Sequence, residues 1–248
     1  MEAGSISPNP KKSWHHTTAG IIFIAILSVL LFAGLAFGSL VGYYAWKIKT
    51  GNTELLAEFQ QASDSLSATS LERIDNPESL IDPFNPTTGP KNAKVTIIMF
   101  KDFLCTYCQE AYPVFKKIQQ QYGEAVRVVF KHFPIESIHP GTTQVSIAAA
   151  CAHEQGKFWE YYDQIFTQKA FAQSDLHTYA QELNLDLNKF GSCLLSERHE
   201  TTINQDLTDG LKAKIQGTPT YIVNDLKVEG VLTQQQWNTL ILEELAHN

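Results

Sequence analysis

Positive charge is scarce in this 248-residue chain, in which 19 Lys and Arg residues stand against 26 Asp and Glu residues and give a net charge of −7. The sequence also lacks a run of Lys and Arg that would form a local exception. Binding to nucleic-acid phosphates needs a concentrated basic surface. The charge balance therefore argues against nucleic acid as a partner.

Cysteine is scarce as well. The chain has only four, at positions 105, 108, 151 and 193, which is too few for a small scaffold held together by disulfides. The even number is compatible with two pairs. With 44% hydrophobic residues, the chain is long enough for one membrane segment and one sizeable globular domain.

Charged residues are missing altogether from residues 19–46, which read AGIIFIAILSVLLFAGLAFGSLVGYYAW. A helix needs roughly 20 apolar residues to cross a bilayer. A cleaved signal peptide is the alternative, but its apolar region is about 7–15 residues long and ends at small residues. This run is longer and ends in aromatic residues, which favour the headgroup layer. We therefore predict an uncleaved signal anchor in the lipid bilayer at residues 19–46, after a polar tail at residues 1–18.

The orientation of this segment does not follow from its flanks, because two lysines precede it and two follow it. Residues 47–90 hold a short candidate helix at 53–62 and then a stretch rich in Ser, Thr, Asp and Asn with four of the ten prolines. Proline removes backbone donors and restricts its neighbour. We interpret residues 47–90 as a stalk and expect the folded domain to span residues 91–248.

The domain begins with a strand–helix–strand pattern. KVTIIMF at 94–100 and VRVVFKHF at 126–133 are typical of buried strands, and residues 108–122 have apolar side chains at helical spacing. A helix between two strands favours parallel pairing. Helices are then predicted across residues 142–166, with a break at Gly156, and in three further segments, 174–183, 186–196 and 198–214.

The C-terminal part indicates a hairpin followed by a helix. The short apolar runs at 221–223 and 226–228 flank Asn224-Asp225, and both residue types tolerate the positive φ of a tight turn. Thr233 and Gln236 have the spacing of a capping box for a last helix. The predicted fold class is thus α/β, with the order βαβ, helices, ββα.

The segment KDFLCTYCQEAYP, residues 101–113, places Cys105 where the first strand gives way to the first helix of the domain. A helix N-terminus stabilises a thiolate, and the first thiol of a C-x-x-C motif has a pKa of roughly 3.5–7.5. Cys105 is therefore the candidate nucleophile, with an exposed sulfur, and Cys108 the resolving thiol. Two alternatives stay open at this point: a zinc site that uses all four cysteines, and two inert buried thiols.

The segment MFKDFLCTYCQEAYP resembles the active-site region of thioredoxin-fold proteins, specifically the DsbA-like thiol:disulfide oxidoreductases. Four further segments are similar to family segments in the same order: VRVVFKHFPI, AAACAHEQGKFWEYYDQIF, FGSCLLSE and GTPTYIVND. The similarity runs from about Asn85 to the C-terminus. It implies a thioredoxin fold with a helical insertion at about residues 139–210, preceded by the transmembrane helix and the stalk.

The resemblance also implies roles for particular residues. Thr218 and Pro219 match the loop that binds substrate backbone beside the C-x-x-C, with a cis bond before the proline. Cys105 and Cys108 are implied to form the redox-active disulfide. Cys151 and Cys193 match positions where some relatives have a structural disulfide. No metal and no organic cofactor are implied, because the dithiol itself carries the electrons.

Two features depart from the family. Six positions before the first cysteine, where an acidic residue is common, this chain has Met99; Asp102 is nearby in sequence only. The dipeptide between the cysteines is Thr106-Tyr107, where many relatives have Pro-His or Pro-Tyr, and such residues tune redox poise. His132 and His139 are interpreted as structural or exposed histidines rather than partners of the thiols.

The predicted function is that of a membrane-anchored thiol:disulfide oxidoreductase with its catalytic domain outside the cytoplasm. By family analogy, it forms disulfides in cysteine-containing protein substrates and is reoxidised by a membrane partner of the DsbB or vitamin K epoxide reductase type. The first alternative is a disulfide reductase or isomerase fed by a membrane electron donor. The second is a redox-silent, membrane-tethered peptide-binding module.

Overall fold

The structure, a computed structural model, describes residues 18–49 and 72–247. The chain divides into two compact units, residues 1–69 and residues 70–248. Most of the predicted polar tail and the candidate helix at 53–62 lie outside the described residues.

The described part of the first unit is one helix, α1 (Thr18–Lys49). Its segment Ile22–Tyr44 has a mean hydropathy of 2.5 and is long and apolar enough to cross a membrane. Its two serine hydroxyls donate to carbonyls of the helix itself, Ser28 to Ile24 and Ser39 to Ala36. Their polar groups are thus satisfied within the helix, as an apolar medium requires. The predicted apolar helix before the domain is confirmed.

The second unit is built on a mixed six-stranded sheet. In chain order the strands are β1 (Glu72–Arg73), β2 (Thr87–Thr88), β3 (Val95–Lys101), β4 (Val126–His132), β5 (Thr220–Val223) and β6 (Leu226–Glu229). In space their order is β1-β6-β5-β3-β4-β2. β3 and β4 are parallel, as predicted, and the other pairs are antiparallel.

Helix α2 (Thr106–Tyr122) connects the two parallel strands. The central strands are buried on both faces, which explains their nearly continuous apolar sequence. Alternation along β3 sends Val95, Ile97 and Met99 into the larger core cluster, which also holds the buried face of α2. Ile98 and Phe100 point into the smaller cluster on the opposite face.

Five helices lie between β4 and β5 and form the helical insertion. They are α3 (Thr142–Glu154), α4 (Phe158–Gln168), α5 (Gln173–Glu182), α6 (Leu187–Ser196) and α7 (Glu200–Lys212). α3 and α4 are separated at Gly156, whose φ of 72° is readily adopted by glycine. The predicted insertion and its break are therefore present.

The C-terminal hairpin and helix form as the sequence indicates. Asn224 has a φ of 54° in the turn between β5 and β6. Helix α8 (Gln234–His247) follows. At its start the backbone N–H of Gln236 donates to the Thr233 hydroxyl, and the Gln236 side chain accepts from the Thr233 N–H, which is the reciprocal pattern of a capping box.

The predicted start of the folded domain at Lys91 is wrong, because part of the expected stalk belongs to the sheet. β1 pairs with β6 and β2 pairs with β4, and Leu80, in a 3-10 helix at Pro77–Leu80, is buried in the smaller core cluster. These edge strands have two residues each, too few to produce an alternating pattern. At the other end of the expected stalk, Lys47 and Lys49 belong to α1, and residues 50–71 lie outside the described part.

Candidate active site

Cys105 is the N-cap residue of α2, with φ −65° and ψ 121°. β3 ends at Lys101 and a short loop leads into the helix. Because the first N–H groups of a helix have no partner in the helix, they are free to face the capping side chain. The backbone N–H groups of Cys108 and Tyr107 contribute to lowering the pKa of the Cys105 thiol, although the Cys105 side chain makes no full capping hydrogen bond.

The loop before β5 completes the other side of the site. The peptide bond between Thr218 and Pro219 is cis, and the Sγ of Cys105 lies 3.2 Å from the carbonyl oxygen of Thr218, to which it donates a hydrogen bond while it is a neutral thiol. β5 pairs with β3, with Phe100 opposite Thr220, so this pairing brings the loop against the end of β3. The structure thus brings the C-x-x-C, Cys105 and Cys108, next to the loop at Thr218 and Pro219. Cys105 and Thr218 are 113 positions apart in the sequence.

The two thiols have opposite electrostatic surroundings. The pKa of Cys105 is lowered to about 5, first by a hydrogen bond from the Cys108 side chain and then by the Thr218 side chain and backbone N–H groups, against the effect of burial. Burial, together with the bond to Cys105, raises the pKa of Cys108 well above its usual value. At neutral pH the reduced pair therefore has a thiolate on Cys105 and a thiol on Cys108.

The expectation that the Cys105 sulfur is exposed is wrong for this conformation. Both cysteines are free thiols and both are buried, with only 4% of Cys105 exposed. The contact with Thr218 accounts for part of this cover. The neighbouring Tyr107 is 63% exposed, so the solvent-facing part of the motif is the dipeptide between the cysteines.

Asp102 is close to the thiols, but its carboxylate is occupied elsewhere. It accepts hydrogen bonds from the backbone N–H groups of Leu104 and Ile135, at 2.8 and 2.9 Å, and from the Thr142 hydroxyl. The Nδ1 of His139 lies 2.8 Å from the same carboxylate. Asp102 therefore ties the loop before Cys105 to the loop after β4, while only its backbone N–H contacts Cys108.

Met99 and His132, two residues that the sequence analysis singled out, are uncharged. Met99 is fully buried in β3, so no acid occupies the position where relatives commonly have one. His132 packs against the rings of Phe103, Phe130 and Phe158. Burial lowers its pKa to about 3, which leaves the imidazole uncharged at neutral pH.

Lys101 is the residue near the thiols that the sequence interpretation missed. Its side chain is fully buried, and its Nζ donates to the hydroxyl of Tyr162 at 3.1 Å. Burial lowers the pKa of Lys101 to about 8, whereas the charges of Cys108 and Cys105 act in the opposite direction. The sequence did contain an indication of this burial. Lys101 follows Ile97 and Met99 at alternate positions, and therefore on the same face, of a strand that is buried on both faces.

The other two cysteines form a disulfide. Cys151 in α3 is bonded to Cys193 in α6, and both residues are buried. The bond closes a loop across the helical insertion and joins two of its helices. A bonded pair does not supply thiolate ligands, so the zinc alternative that needs all four cysteines does not describe this arrangement.

The sequence model of the family described as thioredoxin matches residues 82–243. A thioredoxin-like oxidoreductase from Silicibacter pomeroyi has a structure with a TM-score of 0.62 and 25% sequence identity, covering 69% of this chain and 99% of that one. BdbD from Bacillus subtilis, in its oxidised form, has a TM-score of 0.62 at 20% identity, covering 72% of this chain and 100% of that one. The thiol-disulfide exchange protein α-DsbA2 from Wolbachia pipientis has a TM-score of 0.61 at 18% identity, covering 67% of this chain and 90% of that one.

Curated sequences named as transporters also match in part. The Na(+)/H(+) antiporter NhaA 3 of Salinispora tropica is 33% identical over 159 residues, which are 64% of this chain and 24% of that protein. The chain spans about a quarter of the length of the curated relatives that it matches, so antiport is not carried over to it. The family match, at residues 82–243, covers most of the folded unit. The chain therefore belongs to the thioredoxin family, and its folded unit has the architecture of DsbA-like thiol:disulfide oxidoreductases.

Proposed function

We propose that the protein is an extracytoplasmic, membrane-anchored thiol:disulfide oxidase that works through Cys105 and Cys108. A substrate thiolate attacks the Sγ of Cys105 in the oxidised pair, a substrate–Cys105 disulfide forms, and Cys108 leaves as a thiolate. The second substrate thiolate then attacks the substrate sulfur, and Cys105 leaves with its electron pair. The substrate gains one disulfide and the enzyme holds two additional electrons as its dithiol.

The observation that carries this proposal is the position of Cys105, which caps α2 and contacts the cis-proline loop at Thr218. In this position its pKa is about 5. A thiol with a low pKa is a good leaving group, which favours release of an oxidised substrate. The low pKa also stabilises the reduced form of the enzyme, which makes its disulfide a stronger oxidant. Thr218 and Pro219 are proposed to hold substrate backbone beside this sulfur.

The proposed location rests on α1, whose Ile22–Tyr44 segment suits a single membrane span. The buried disulfide between Cys151 and Cys193 is consistent with an oxidising compartment. In such a compartment the reduced pair needs an electron acceptor. We propose a membrane partner of the DsbB or vitamin K epoxide reductase type for that step.

The test is the reduction potential of the Cys105–Cys108 pair in the purified full chain, from its equilibrium with glutathione. An oxidase is expected to lie close to DsbA, about −120 mV, and a value near thioredoxin, about −270 mV, would instead support a reductase. Trapping with Cys108→Ala in cells checks the substrates. Mixed disulfides on Cys105 are expected, and their absence would support a redox-silent binding module.

A further inference from the structure

Lys101 places a buried amino group on the same side of the sheet as the redox pair. It follows Ile97 and Met99 at alternate positions of β3 and therefore points to the face covered by α2. On α2, Cys108 and Phe115 belong to the buried face, two helical turns apart. The Nζ of Lys101 lies 5.3 Å from the centroid of the Phe115 ring.

Aromatic rings surround this amino group. Besides Phe115, the Nζ lies 5.3 Å from the ring centroid of Phe166, 5.7 Å from Tyr162 and 5.8 Å from Tyr221. The negative faces of such rings attract a cation. The hydroxyl of Tyr162 adds a neutral hydrogen-bond acceptor at 3.1 Å. The surroundings thus accept an ammonium ion without supplying a full negative charge.

A second buried lysine, Lys131, has the carboxylate partners that Lys101 lacks among the described residues. Lys131 in β4 lies 2.7 Å from a carboxylate oxygen of Asp206 and 3.0 Å from one of Asp209. Among the described residues, no carboxylate lies within salt-bridge distance of Lys101. A buried ammonium ion without a counter-ion is unfavourable. The anions that favour its charged form are the sulfurs of Cys108 and Cys105.

We infer that Lys101 is the counter-charge of the redox pair, stabilising negative charge on the sulfur of Cys108 as it leaves the disulfide and on the thiolate of Cys105 afterwards. This inference rests on the proposed thiol–disulfide exchange. When a substrate thiolate attacks Cys105, the bond between Cys105 and Cys108 breaks and Cys108 takes the electron pair. The ammonium group of Lys101 then faces a buried anion in a medium of low polarity, where the attraction between charges is strong.

This arrangement reverses the charge expected from the family resemblance. Six positions before the first cysteine, where relatives commonly have an acidic residue, this chain has Met99. Two residues after Met99 it has the cation Lys101. A carboxylate would repel a thiolate on Cys108, whereas an ammonium ion attracts it. The reduced form gains from this attraction and the neutral disulfide does not. Lys101 therefore makes the pair more oxidising.

The test replaces Lys101 with methionine in the full chain purified in detergent. Lys101→Met keeps the length of the side chain in an apolar setting and removes the charge. The equilibrium constant with glutathione is expected to shift at least ten-fold toward the disulfide form of the protein, which corresponds to about 30 mV for a two-electron couple. The thiolate absorbance of Cys105, followed against pH, is expected to appear at a higher pH than in the wild type.

Lys131→Met is the matched control, because it removes a buried lysine on the opposite face of the sheet. Its equilibrium with glutathione is expected to stay within two-fold of the wild type. If Lys101→Met does not fold, Tyr162→Phe keeps the ring and removes only the hydroxyl that accepts from Lys101. That variant is expected to shift the equilibrium at least two-fold in the same direction.

An equilibrium constant and a Cys105 titration that stay at wild-type values in folded Lys101→Met would overturn the inference. So would an equal change in Lys131→Met, because that outcome would mean a general effect of losing a buried lysine. The potential of the wild-type protein and the trapping with Cys108→Ala decide the proposed function. The difference between the wild type and Lys101→Met decides the role of this lysine, so the two fail separately.

Discussion

At the scale of single residues, the ionisation of Cys105 depends most on its partner in the motif. The hydrogen bond from the Cys108 side chain is the largest cause of the pKa of about 5. Alkylation of Cys105 at increasing pH should therefore rise with a midpoint near 5 in the wild type. Cys108→Ala is expected to move this midpoint upward by at least one unit, because the donor is lost.

Cys108→Ser is the matched control, since a hydroxyl still donates to the thiolate and the midpoint should stay closer to 5. Equal midpoints in the alanine and serine variants would contradict this account. The sign for stability follows from the lowered pKa. The thiolate stabilises the folded, reduced protein fully above the unfolded pKa of about 8.5, and this contribution is lost as the pH falls through the folded pKa of about 5.

The buried ion network around Lys131 should matter for stability rather than for chemistry. Asp206 accepts from Lys131, from the amide of Asn85 and from the backbone N–H of His132. Breaking a buried pair costs about 3–5 kcal/mol when a charge is left without a partner, but Lys131 keeps Asp209 at 3.0 Å in Asp206→Asn. The free energy of unfolding is therefore expected to fall by about 1–3 kcal/mol in urea titrations, because buried donors lose a charged acceptor.

Glu160→Gln serves as the comparison for Asp206→Asn. Its partner Lys157 and the carboxylate itself are both about half exposed, and such surface pairs contribute about 0–1 kcal/mol. A loss in Asp206→Asn as small as that in Glu160→Gln would show that the buried network does not hold the fold together.

The sequence predicted the residues of the site that lie in a local pattern and missed those defined by distant contacts. Cys105 and Cys108 stand out through their spacing, and Thr218-Pro219 through the resemblance. Lys101 looked like the polar end of a strand, because nothing in its neighbourhood in sequence shows that Tyr162 and Phe166 surround it. The same holds for Asp102, whose partners Ile135 and His139 in the loop after β4 and Thr142 at the start of α3 are more than 30 residues away.

At the scale of elements, the disulfide between α3 and α6 closes a loop with a sequence separation of 42 residues. In the chain-entropy model such a loop stabilises the fold by about 4 kcal/mol. The double variant Cys151→Ala, Cys193→Ala is expected to lose about that much free energy of unfolding and to keep the alkylation midpoint of Cys105. A loss below about 1 kcal/mol would show that packing alone orders the insertion.

The edge strands β1 and β2 give a second prediction about elements. A fragment of residues 70–248 keeps both strands, whereas a fragment of residues 91–248 leaves the edges of β6 and β4 unpaired and removes the bond from Asn85 to Asp206. Unpaired edges promote aggregation. The shorter fragment is expected to be about 1.5–3 kcal/mol less stable in urea through this bond alone, or insoluble. Equal stability of the two fragments would contradict this prediction and would support Lys91 as the start of the folded domain.

At the scale of the whole molecule, the order of elements was readable because each has a strong local signal. β3 and β4 are rich in β-branched and aromatic residues, Gly156 separates two helices, and Asn224 marks a hairpin turn. The sheet order β1-β6-β5-β3-β4-β2 was not readable from these signals. It depends on long-range pairings, and the two-residue edge strands carry almost no pattern of their own.

The orientation of the whole chain in a membrane is the last prediction. Lysines flank the apolar segment on both sides, so the positive-inside rule does not predict which end lies in the cytoplasm. The redox chemistry predicts it instead, because a stable disulfide needs an oxidising compartment. In a Cys105→Ala, Cys108→Ala background, a cysteine at Ser65→Cys should react with a membrane-impermeant maleimide in intact cells, and one at Ser5→Cys should react only after lysis. The reverse pattern would place the folded unit in the cytoplasm, where glutathione and thioredoxin keep thiols reduced. A dithiol oxidase would then have no oxidising pool to draw on, and the direction of exchange proposed for Cys105 and Cys108 would have to be reversed.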